Sequence, residues 1–336
     1  MAWRNLLTDV PGIRVGNAHD ERLASGVTVA LLEGASAVSC AVLGGAPGSR
    51  DTALLDAEMI APGADAIVLS GGSVYGLDAA TGVQALLRER GVGLPFAGIS
   101  VPLVVQAICF DLLNGGDKDW GRFPPYRDLG YAAADAADVD FALGSVGGGY
   151  GATTVNLKGG LGSASALTPS GFGVGVLAVV NAIASAVIGD GPHFWAAPFE
   201  EGDEFGDLGL PARVTPAMRR LRWKGGPQPG TTIALVATDA ELTKPQAKRL
   251  AVAAGGGLHK ALRFANAETD GDTIFAAATA RAAKRPELND LVAVGATAAD
   301  CLARAVARGV YEAAALPCCP QIPAWRDRFG VRASPP

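Results

Sequence analysis

Histidine and cysteine, on which most metal sites and many nucleophilic sites depend, are scarce in this chain. Its 336 residues include three histidines, at positions 19, 193 and 259, and five cysteines. The histidines lie too far apart to join a cysteine pair at the spacing of a zinc site. An odd number of cysteines without a framework of spacings favours reduced thiols. We therefore expect no structural disulfide, no metal and no cofactor.

Charge of either sign is also sparse. Charged residues make up 18% of the chain, the net charge is −5, and basic residues cluster only briefly near Arg219. Proteins that bind nucleic acid present a more basic surface. The longest apolar run, residues 173–189, has Asn181 in its middle and is too short for a membrane span, so we predict a buried strand over residues 173–188. Since the first residues lack a signal-peptide pattern, the sequence predicts a cytoplasmic protein with no nucleic-acid or membrane partner.

Apolar residues, in contrast, are plentiful and make up 49% of the chain. Their spacing predicts strands within residues 13–34 and 37–45, and a strand followed by a helix within 66–91 and again within 231–262. A long final helix is predicted over residues 288–314. Strands that alternate with helices are typical of a layered α/β protein. The length allows one large domain or two.

Residues 190–230 interrupt this alternation. They are rich in proline, glycine and charge and show no periodicity, which is unusual for so long a stretch inside a compact domain. One interpretation is a linker or surface loop. The other is a flexible segment at whose end the chain is cut.

Two glycine-rich stretches lie next to each other, after a strand that we predict to begin at Val139. The first, Gly147–Ala152, fits a loose dinucleotide-binding pattern, but neither a long helix nor an acidic residue about twenty positions on follows it. We therefore expect no nucleotide site. The glycines instead indicate close approach of the backbone to another strand or to a substrate. We predict the second stretch, residues 158–165, to be a loop as well.

The best candidate for a nucleophile in this sequence is a threonine. Ser73 lacks the glycine pattern of a nucleophile elbow, and His259 lies in a helix pattern as an ordinary surface or interhelical residue. A threonine at a chain N-terminus needs no histidine, because its own α-amine, with a reference pKa of about 7.7–8.0, can act as the base. Thr231 would gain that amine if the chain were cut after Gly230. Gly230 leaves its carbonyl unhindered, and Thr231 begins a predicted strand.

Two acidic residues stand close to another strand. Asp270 and Asp272 are two positions apart in "ETDGDTIF", and residues i and i+2 of an extended chain face the same side. Both carboxylates could then face one site, where one would hold an α-ammonium and the other a hydroxyl. The alternative is an ordinary Asp-Gly turn between two elements.

At this point the sequence resembles a known family. The segments "DVPGIRVGNAHD", "GGAPGSRDTALL", "LSGGSVYGLDAATGV", "GSVGGGYGA", "KGGLGSAS", "VLAVVN", "GTTIALVATD" and "DGDTIFAAAT" occur in the order found in the DmpA-like family of N-terminal nucleophile hydrolases. The resemblance implies one domain over residues 1–336, a four-layer αββα sandwich of the DmpA and ornithine-acetyltransferase type. It also implies a precursor that cuts itself into an α chain, 1–230, and a β chain, 231–336, and a homotetramer of αβ units.

The resemblance further implies a role for each matching residue. Thr231 falls at the start of the β chain as the nucleophile, and a threonine there is similar to the nylon-oligomer and pantetheine enzymes. Asn181 matches the asparagine that supplies an oxyanion donor, for which a neutral amide is suitable. Tyr75 matches a tyrosine that lines the site. Asp270 and Asp272 match the acidic pair beside the nucleophile.

One family position is ambiguous in this chain. The nylon-oligomer enzymes carry a lysine after a glycine in a site loop, but "GATTVNLKGG" lacks that Gly-Lys pair. Asn156 or Lys158 takes the place, and we assign Lys158. The alternative for Lys158 is an ordinary surface lysine, because lysine is seldom buried.

The resemblance implies an amide hydrolase that acts on a small linear amide or peptide. Peptides that begin with a β-amino acid, D-amino-acid amides and 6-aminohexanoate oligomers all satisfy this description, and the sequence does not distinguish them. One alternative is N-acetyl transfer to an amino acid, since the arginine-pathway acetyltransferases have a related fold. Another is a binding protein of the same fold that stays uncut and is not catalytic.

Overall fold

Two five-stranded sheets lie face to face, and a pair of helices covers the outer face of each. This computed structural model describes residues 3–35, 37–225 and 229–330. The arrangement is the four-layer αββα sandwich that the sequence predicts. Among the described residues no helix is both long and apolar enough to cross a membrane.

The strands fall into two sheets and one small hairpin. In chain order they are β1 (Ile13–Asp20), β2 (Ser25–Leu32), β3 (Ala37–Val42), β4 (Ser49–Arg50), β5 (Ala66–Ser70), β6 (Leu94–Phe96), β7 (Ile99–Val101), β8 (Val104–Ile108), β9 (Gly160–Leu167), β10 (Gly173–Asn181), β11 (Thr231–Thr238) and β12 (Thr273–Ala278). The first sheet has the order β1-β2-β5-β8-β4 and the second the order β3-β12-β11-β10-β9, while β6 and β7 form the hairpin. Strand β11 pairs antiparallel with β10 and parallel with β12.

Five α-helices complete the fold. They are α1 (Ala79–Glu89), α2 (Tyr126–Asp135), α3 (Lys244–Ala261), α4 (Leu288–Tyr311) and α5 (Trp325–Phe329). Helices α1 and α2 share a buried apolar cluster with the first sheet, and α3 and α4 share one with the second. A third cluster fills the space between the two sheets.

Strand β10 shows why the sequences of the central strands are continuous apolar runs. Its side chains alternate between two buried clusters: Val176 and Val180 pack toward α3 and α4, whereas Leu177 and Val179 pack between the sheets. A strand that is covered on both faces needs apolar residues at every position. The strand ends at Asn181, in the middle of the apolar run of residues 173–189, so the prediction of a strand as far as residue 188 is wrong for its second half.

The second glycine-rich stretch is a strand, so the prediction of a loop is wrong. Residues of β9 lie directly under α4: a Cβ at Gly162 would come within 1.8 Å of the Ala305 carbonyl oxygen, and one at Gly160 within 2.3 Å of the Gly309 oxygen. Glycine here lets a helix backbone pack on a strand backbone. The first stretch is a loop, and it also passes close to β9, because a Cβ at Gly149 would lie 2.1 Å from the Leu161 nitrogen.

Other local predictions differ from the structure. No strand forms from Val139; isolated bridges join Asp138 to Val15 and Gly144 to Leu161 instead. Helix α2 and strands β6, β7 and β8 lie in a region for which the sequence makes no prediction. The strands predicted within 13–45 and the long final helix are confirmed.

The segment 190–225 has little regular structure, as predicted, but much of it is packed against α4 and α5. Phe194 and Phe205 are buried, and the Phe194 ring stacks on Trp325 at 5.6 Å between centroids. Glu204 accepts from the Arg304 guanidinium at 2.6 Å, with both side chains buried. Residues 226–228 of the predicted segment lie outside the described residues, and cleavage at its end stays a prediction.

The pair of Glu204 and Arg304 predicts a large effect on stability. Arg304→Met would remove the nearer cation of the buried Glu204 carboxylate and leave it only the longer ion pair with Arg308 at 3.7 Å, so the loss of stability should approach about 3–5 kcal/mol, the cost of breaking a buried pair. Arg285→Met removes the cation of an exposed pair with Glu241 and should change stability by less than about 0.5 kcal/mol. Urea unfolding of both variants measures the difference. Equal stability of the two would contradict the structural role of Arg304.

Candidate active site

Thr231 and Asn181 face each other across two paired strands. Thr231 is the first residue of β11, Asn181 is the last of β10, and the antiparallel register pairs them directly. Both are buried, with 3% and 1% of their surface exposed. Because side chains alternate along a strand, Thr231 shares its face with Ile233 and Leu235, which pack between the sheets. The site therefore lies inside the sandwich, at one end of it.

The peptide bond predicted to be cut has polar groups on both sides. The Thr231 hydroxyl donates to the Gly230 carbonyl oxygen, and the Gly271 N–H donates to the same oxygen at 3.2 Å. The backbone N–H polarises the carbonyl, and the hydroxyl contacts the same oxygen. Thr231 Oγ1 is therefore next to the carbonyl that it would have to attack for the chain to be cut.

The two acids lie just before strand β12, which is the neighbour of β11, and from there they reach the start of β11. Asp270 Oδ2 accepts from the Ala267 N–H at 2.9 Å, while its buried Oδ1 has no hydrogen-bond partner within the described part of the chain. That free oxygen lies against Gly230, since a Cβ there would come within 2.5 Å of it. Burial raises the pKa of Asp270. An unpartnered buried carboxylate oxygen is a ready acceptor for a new ammonium group.

Asp272 has a different set of partners. Its Oδ1 accepts from the Thr232 N–H at 2.5 Å and its Oδ2 from the Asn266 N–H at 2.8 Å. Burial, with the Asp270 charge close by, raises the pKa of Asp272 to about 7. The prediction that both acids lie at one site agrees with this placement, but only Asp270 has an oxygen free for Thr231. Asp272 fixes the backbone next to it.

The side-chain amide of Asn181 is oriented by three contacts. Its Oδ1 accepts from the Thr153 N–H and from Lys224 Nζ, both at 3.0 Å, and its Nδ2 donates to the Phe110 carbonyl at 2.8 Å. Lys224 Nζ also donates to the Asn181 carbonyl oxygen at 3.0 Å. Two donors at Oδ1 decide which end of the amide is oxygen. Nδ2 has two hydrogens, so one remains for a substrate oxyanion.

Lys224 is the residue that sequence reasoning missed. It is 9% exposed, and burial lowers its pKa to about 7 although the carboxyls of Asp270 and Asp111 oppose that shift. In the sequence it follows "RRLRW", which is typical of a charged surface. No spacing signal links it to Asn181, because the contact is made only by the fold.

Lys158 is buried, so the alternative of a surface lysine is wrong. Its Nζ donates to three backbone carbonyls, those of Gly149, Ala152 and Gly159, at 2.8–3.1 Å, and burial lowers its pKa to about 7. These bonds hold the loop that presents the Thr153 N–H to Asn181. Lys158 thus contacts the site through a loop, and its assignment to the family lysine position stays a prediction. Asn156, the other candidate, lies in the same loop.

Tyr75 stands apart from the buried group. Its side chain is 49% exposed, and its ring packs edge-on against Trp120 at 5.3 Å between centroids. The loop that carries it joins the site indirectly: the Gly72 N–H donates to Asp111 Oδ1 at 2.7 Å. A role for Tyr75 at the rim of the site stays a prediction.

A cavity of about 30 Å³ separates the first sheet from the chain upstream of Thr231. It is lined by Phe110, Asp111, Leu113, Asn114, Thr153, Lys224 and Pro229. Such a volume accommodates a water molecule but no substrate. Lys224 and Pro229, which precede Thr231 in the chain, form part of the wall of this cavity. Within the described residues no cluster of three or more histidine, cysteine or acidic side chains could hold a metal ion.

Comparisons with known proteins agree with the resemblance noted from the sequence. Residues 5–320 match the family described as Peptidase family S58. An aminopeptidase of Mycobacterium tuberculosis, described as uncharacterized, is 42% identical over 97% of this chain and 98% of its own length. A 6-aminohexanoate-oligomer endohydrolase of a Kocuria species is 27% identical over 81% of this chain and 74% of its own length.

A solved structure supports the fold. The L-aminopeptidase D-Ala-esterase/amidase of Ochrobactrum anthropi, described as a variant of the N-terminal nucleophile hydrolase fold, superposes with a TM-score of 0.67. The match covers 95% of this chain and 89% of that one at 19% identity, so it bears on architecture alone. The names of these relatives are those of aminopeptidases and amide hydrolases, which favours neither the acetyltransferase nor the non-catalytic alternative.

The close packing around Gly230 predicts that cleavage requires a glycine at this position. A Cβ at Gly230 would lie 2.2 Å from the Ile183 nitrogen and 2.5 Å from Asp270 Oδ1, so Gly230→Ala must displace the carbonyl from Thr231. We expect the variant to accumulate as one uncut chain. Gly225→Ala is the matched control, because a Cβ there has no atom of the described residues within 4 Å, and it should be cut like the wild type. A denaturing gel sampled over time compares them, and equal rates of cutting would contradict the geometry described.

Proposed function

The chain belongs to Peptidase family S58, and from this premise we propose that it cuts its own Gly230–Thr231 bond and then hydrolyses amides with Thr231. It is an amide hydrolase of the N-terminal nucleophile type. The observation that carries the proposal is the arrangement around one carbonyl. The Thr231 hydroxyl and the Gly271 N–H both meet the Gly230 oxygen, and the free oxygen of Asp270 lies beside it.

Self-cleavage begins with attack of Thr231 Oγ1 on the Gly230 carbonyl carbon. The Gly271 N–H supports the negative charge that develops on the oxygen. The C–N bond breaks, the nitrogen of Thr231 takes up a proton, and residue 230 is left as an ester on the threonine oxygen. Water hydrolyses that ester, which releases the Gly230 carboxylate and regenerates the hydroxyl. The new α-ammonium of Thr231 then lies beside Asp270 Oδ1.

Substrate hydrolysis repeats the chemistry on another amide. The free α-amine accepts the Thr231 hydroxyl proton, and Oγ1 attacks the substrate carbonyl. The remaining Nδ2 hydrogen of Asn181 donates to the oxyanion, a contact of the kind that contributes about 10²–10³ in kcat. The amine product leaves with the proton, and water hydrolyses the acyl-threonine ester. The protein itself supplies the base, the nucleophile and the oxyanion donor of this mechanism.

The substrate that we propose is a linear amide. The relatives named above include an aminopeptidase and an enzyme named for 6-aminohexanoate oligomers. Peptides of β- or D-amino acids and 6-aminohexanoate oligomers all fit. We also propose a homotetramer of αβ units in the cytoplasm, supported by the low charge content of 18%.

Thr231→Ala separates this mechanism from every alternative that leaves the chain intact. The wild type should give two fragments, 1–230 and 231–336, the smaller of which begins Thr-Thr-Ile-Ala on N-terminal sequencing. The variant should remain one folded chain and should hydrolyse neither a β-peptide, a D-amino-acid amide nor a 6-aminohexanoate oligomer, because the nucleophile and its amine are both lost. An uncut wild type that hydrolyses these amides, or an active variant, would rule the mechanism out.

Asp270→Asn tests the neighbour of the proposed α-amine through pH. A carboxylate beside an ammonium raises the pKa of that ammonium, so its removal should lower the pH at which the amine becomes a free base. We expect the rising limb of kcat/KM to move to lower pH by up to about one unit, with a reduced maximum. Glu268→Gln, an exposed neighbour screened by solvent, should leave the limb in place. An unmoved limb in processed Asp270→Asn enzyme would exclude this role.

A further inference from the structure

We propose that Lys224 is a positioning residue for Asn181, supplied by the chain segment upstream of the cleavage point. The inference rests on the proposed function, because it gives Asn181 the oxyanion and Thr231 the nucleophilic role. It goes beyond that function by assigning part of the site to the last residues of the future α chain.

The side-chain contacts of Lys224 single it out. Its Nζ donates to the Oδ1 and to the carbonyl oxygen of one residue, Asn181, each at 3.0 Å. Burying a lysine amine is unfavourable unless its hydrogens find acceptors, and both acceptors belong to the residue opposite Thr231. By contrast, Lys158 and Lys244, whose Nζ atoms each donate to three backbone carbonyls, hold loops.

The backbone of Lys224 is also tied to the site. Its N–H donates to the Ile183 carbonyl at 2.9 Å, and Gly230 packs on the nitrogen of the same Ile183. Lys224 and Gly230 thus anchor on one residue, two positions after Asn181. A cut after Gly230 leaves the Lys224 contacts intact, since they lie on the upstream side and depend on none of the atoms that separate. The end of the α chain therefore remains docked at residue 224 in the processed enzyme.

The effect of Lys224 on Asn181 follows from the hydrogen-bond pattern. Its donation to Oδ1 opposes rotation of the amide, because the rotated amide would place NH₂ against Lys224 Nζ and the Thr153 N–H. It also draws electron density toward Oδ1, which makes Nδ2 a stronger donor. Loss of Lys224 leaves the Thr153 N–H as the only donor to Oδ1 within the described part of the chain. Orientation of the oxyanion donor then becomes less strict.

Lys224→Ala, with Lys244→Ala as the matched control, tests the proposal. Lys244 Nζ donates to the carbonyls of Leu54, Met59 and Ala61, so the control removes a similar set of bonds away from Asn181. We expect Lys224→Ala to lower kcat by about tenfold or more, short of the 10²–10³ for loss of an oxyanion donor. Its KM should change little, because the oxyanion forms only in the transition state. Lys244→Ala should keep wild-type kcat.

Chemical rescue separates positioning from a general loss of structure. Methylamine or ethylamine fits the space that the lysine stem leaves and can donate to Asn181 Oδ1, so either should restore part of the kcat of Lys224→Ala. Tetramethylammonium at equal ionic strength has no N–H and should not. Wild-type kcat in Lys224→Ala, or a loss of kcat that no primary amine relieves, would overturn the proposal. An uncut or inactive wild type would instead contradict the proposed function, which keeps the two failures distinct.

Discussion

The register between β10 and β11 is the constraint on which the rest of the site depends. It sets Asn181 opposite Thr231 and turns both side chains into the space between the sheets. A slip by one residue would turn one of them to the helix-covered face. The apolar side chains on both faces of β10 resist such a slip, because each has a buried cluster of its own.

Strand direction brings the remaining groups to the same end of the sandwich. Since β12 runs parallel to β11, the residues just before each strand are neighbours, and Asp270 and Gly271 meet Gly230 there. Since β10 runs antiparallel to β11, its last residue arrives at the same place. In the other sheet the chain leaving β8 contributes the Phe110 carbonyl, which accepts from Asn181. Four chain segments distant in sequence thus converge on one peptide bond.

Burial gives the site a characteristic balance of charge. It raises the pKa of Asp272 and lowers that of Lys224 to about 7 in each case. Groups shifted in opposite directions to the same range can be neutral or charged near neutral pH without a large change in free energy. Such shifts are common where proton transfer is needed, and here they lie around Thr231, for which we propose the role of nucleophile.

The parts of the site that could be predicted from the sequence lie next to the Gly230–Thr231 bond, which we propose is cut, or in a recognisable motif. Thr231 and Gly230 stood out because a glycine and proline approach leads straight into a strand, and Asp270 and Asp272 because of their spacing before another. The layered fold followed from alternating periodicities. Strand β9 could not be predicted, because its glycines serve a helix contact that is visible only in three dimensions. Lys224 could not be predicted either, because it contacts Asn181, which is far away in the sequence.

In the mechanism that we propose, Thr231 carries the acyl group during turnover. Mass spectrometry of the 231–336 fragment, quenched with acid during hydrolysis of a slowly reacting ester or amide, measures this directly. We expect the fragment to gain the mass of the acyl group and peptide mapping to assign that mass to its N-terminal threonine. The adduct should decay as the substrate is consumed. Steady turnover with a fragment of unchanged mass, or with the adduct on another residue, would contradict the claim.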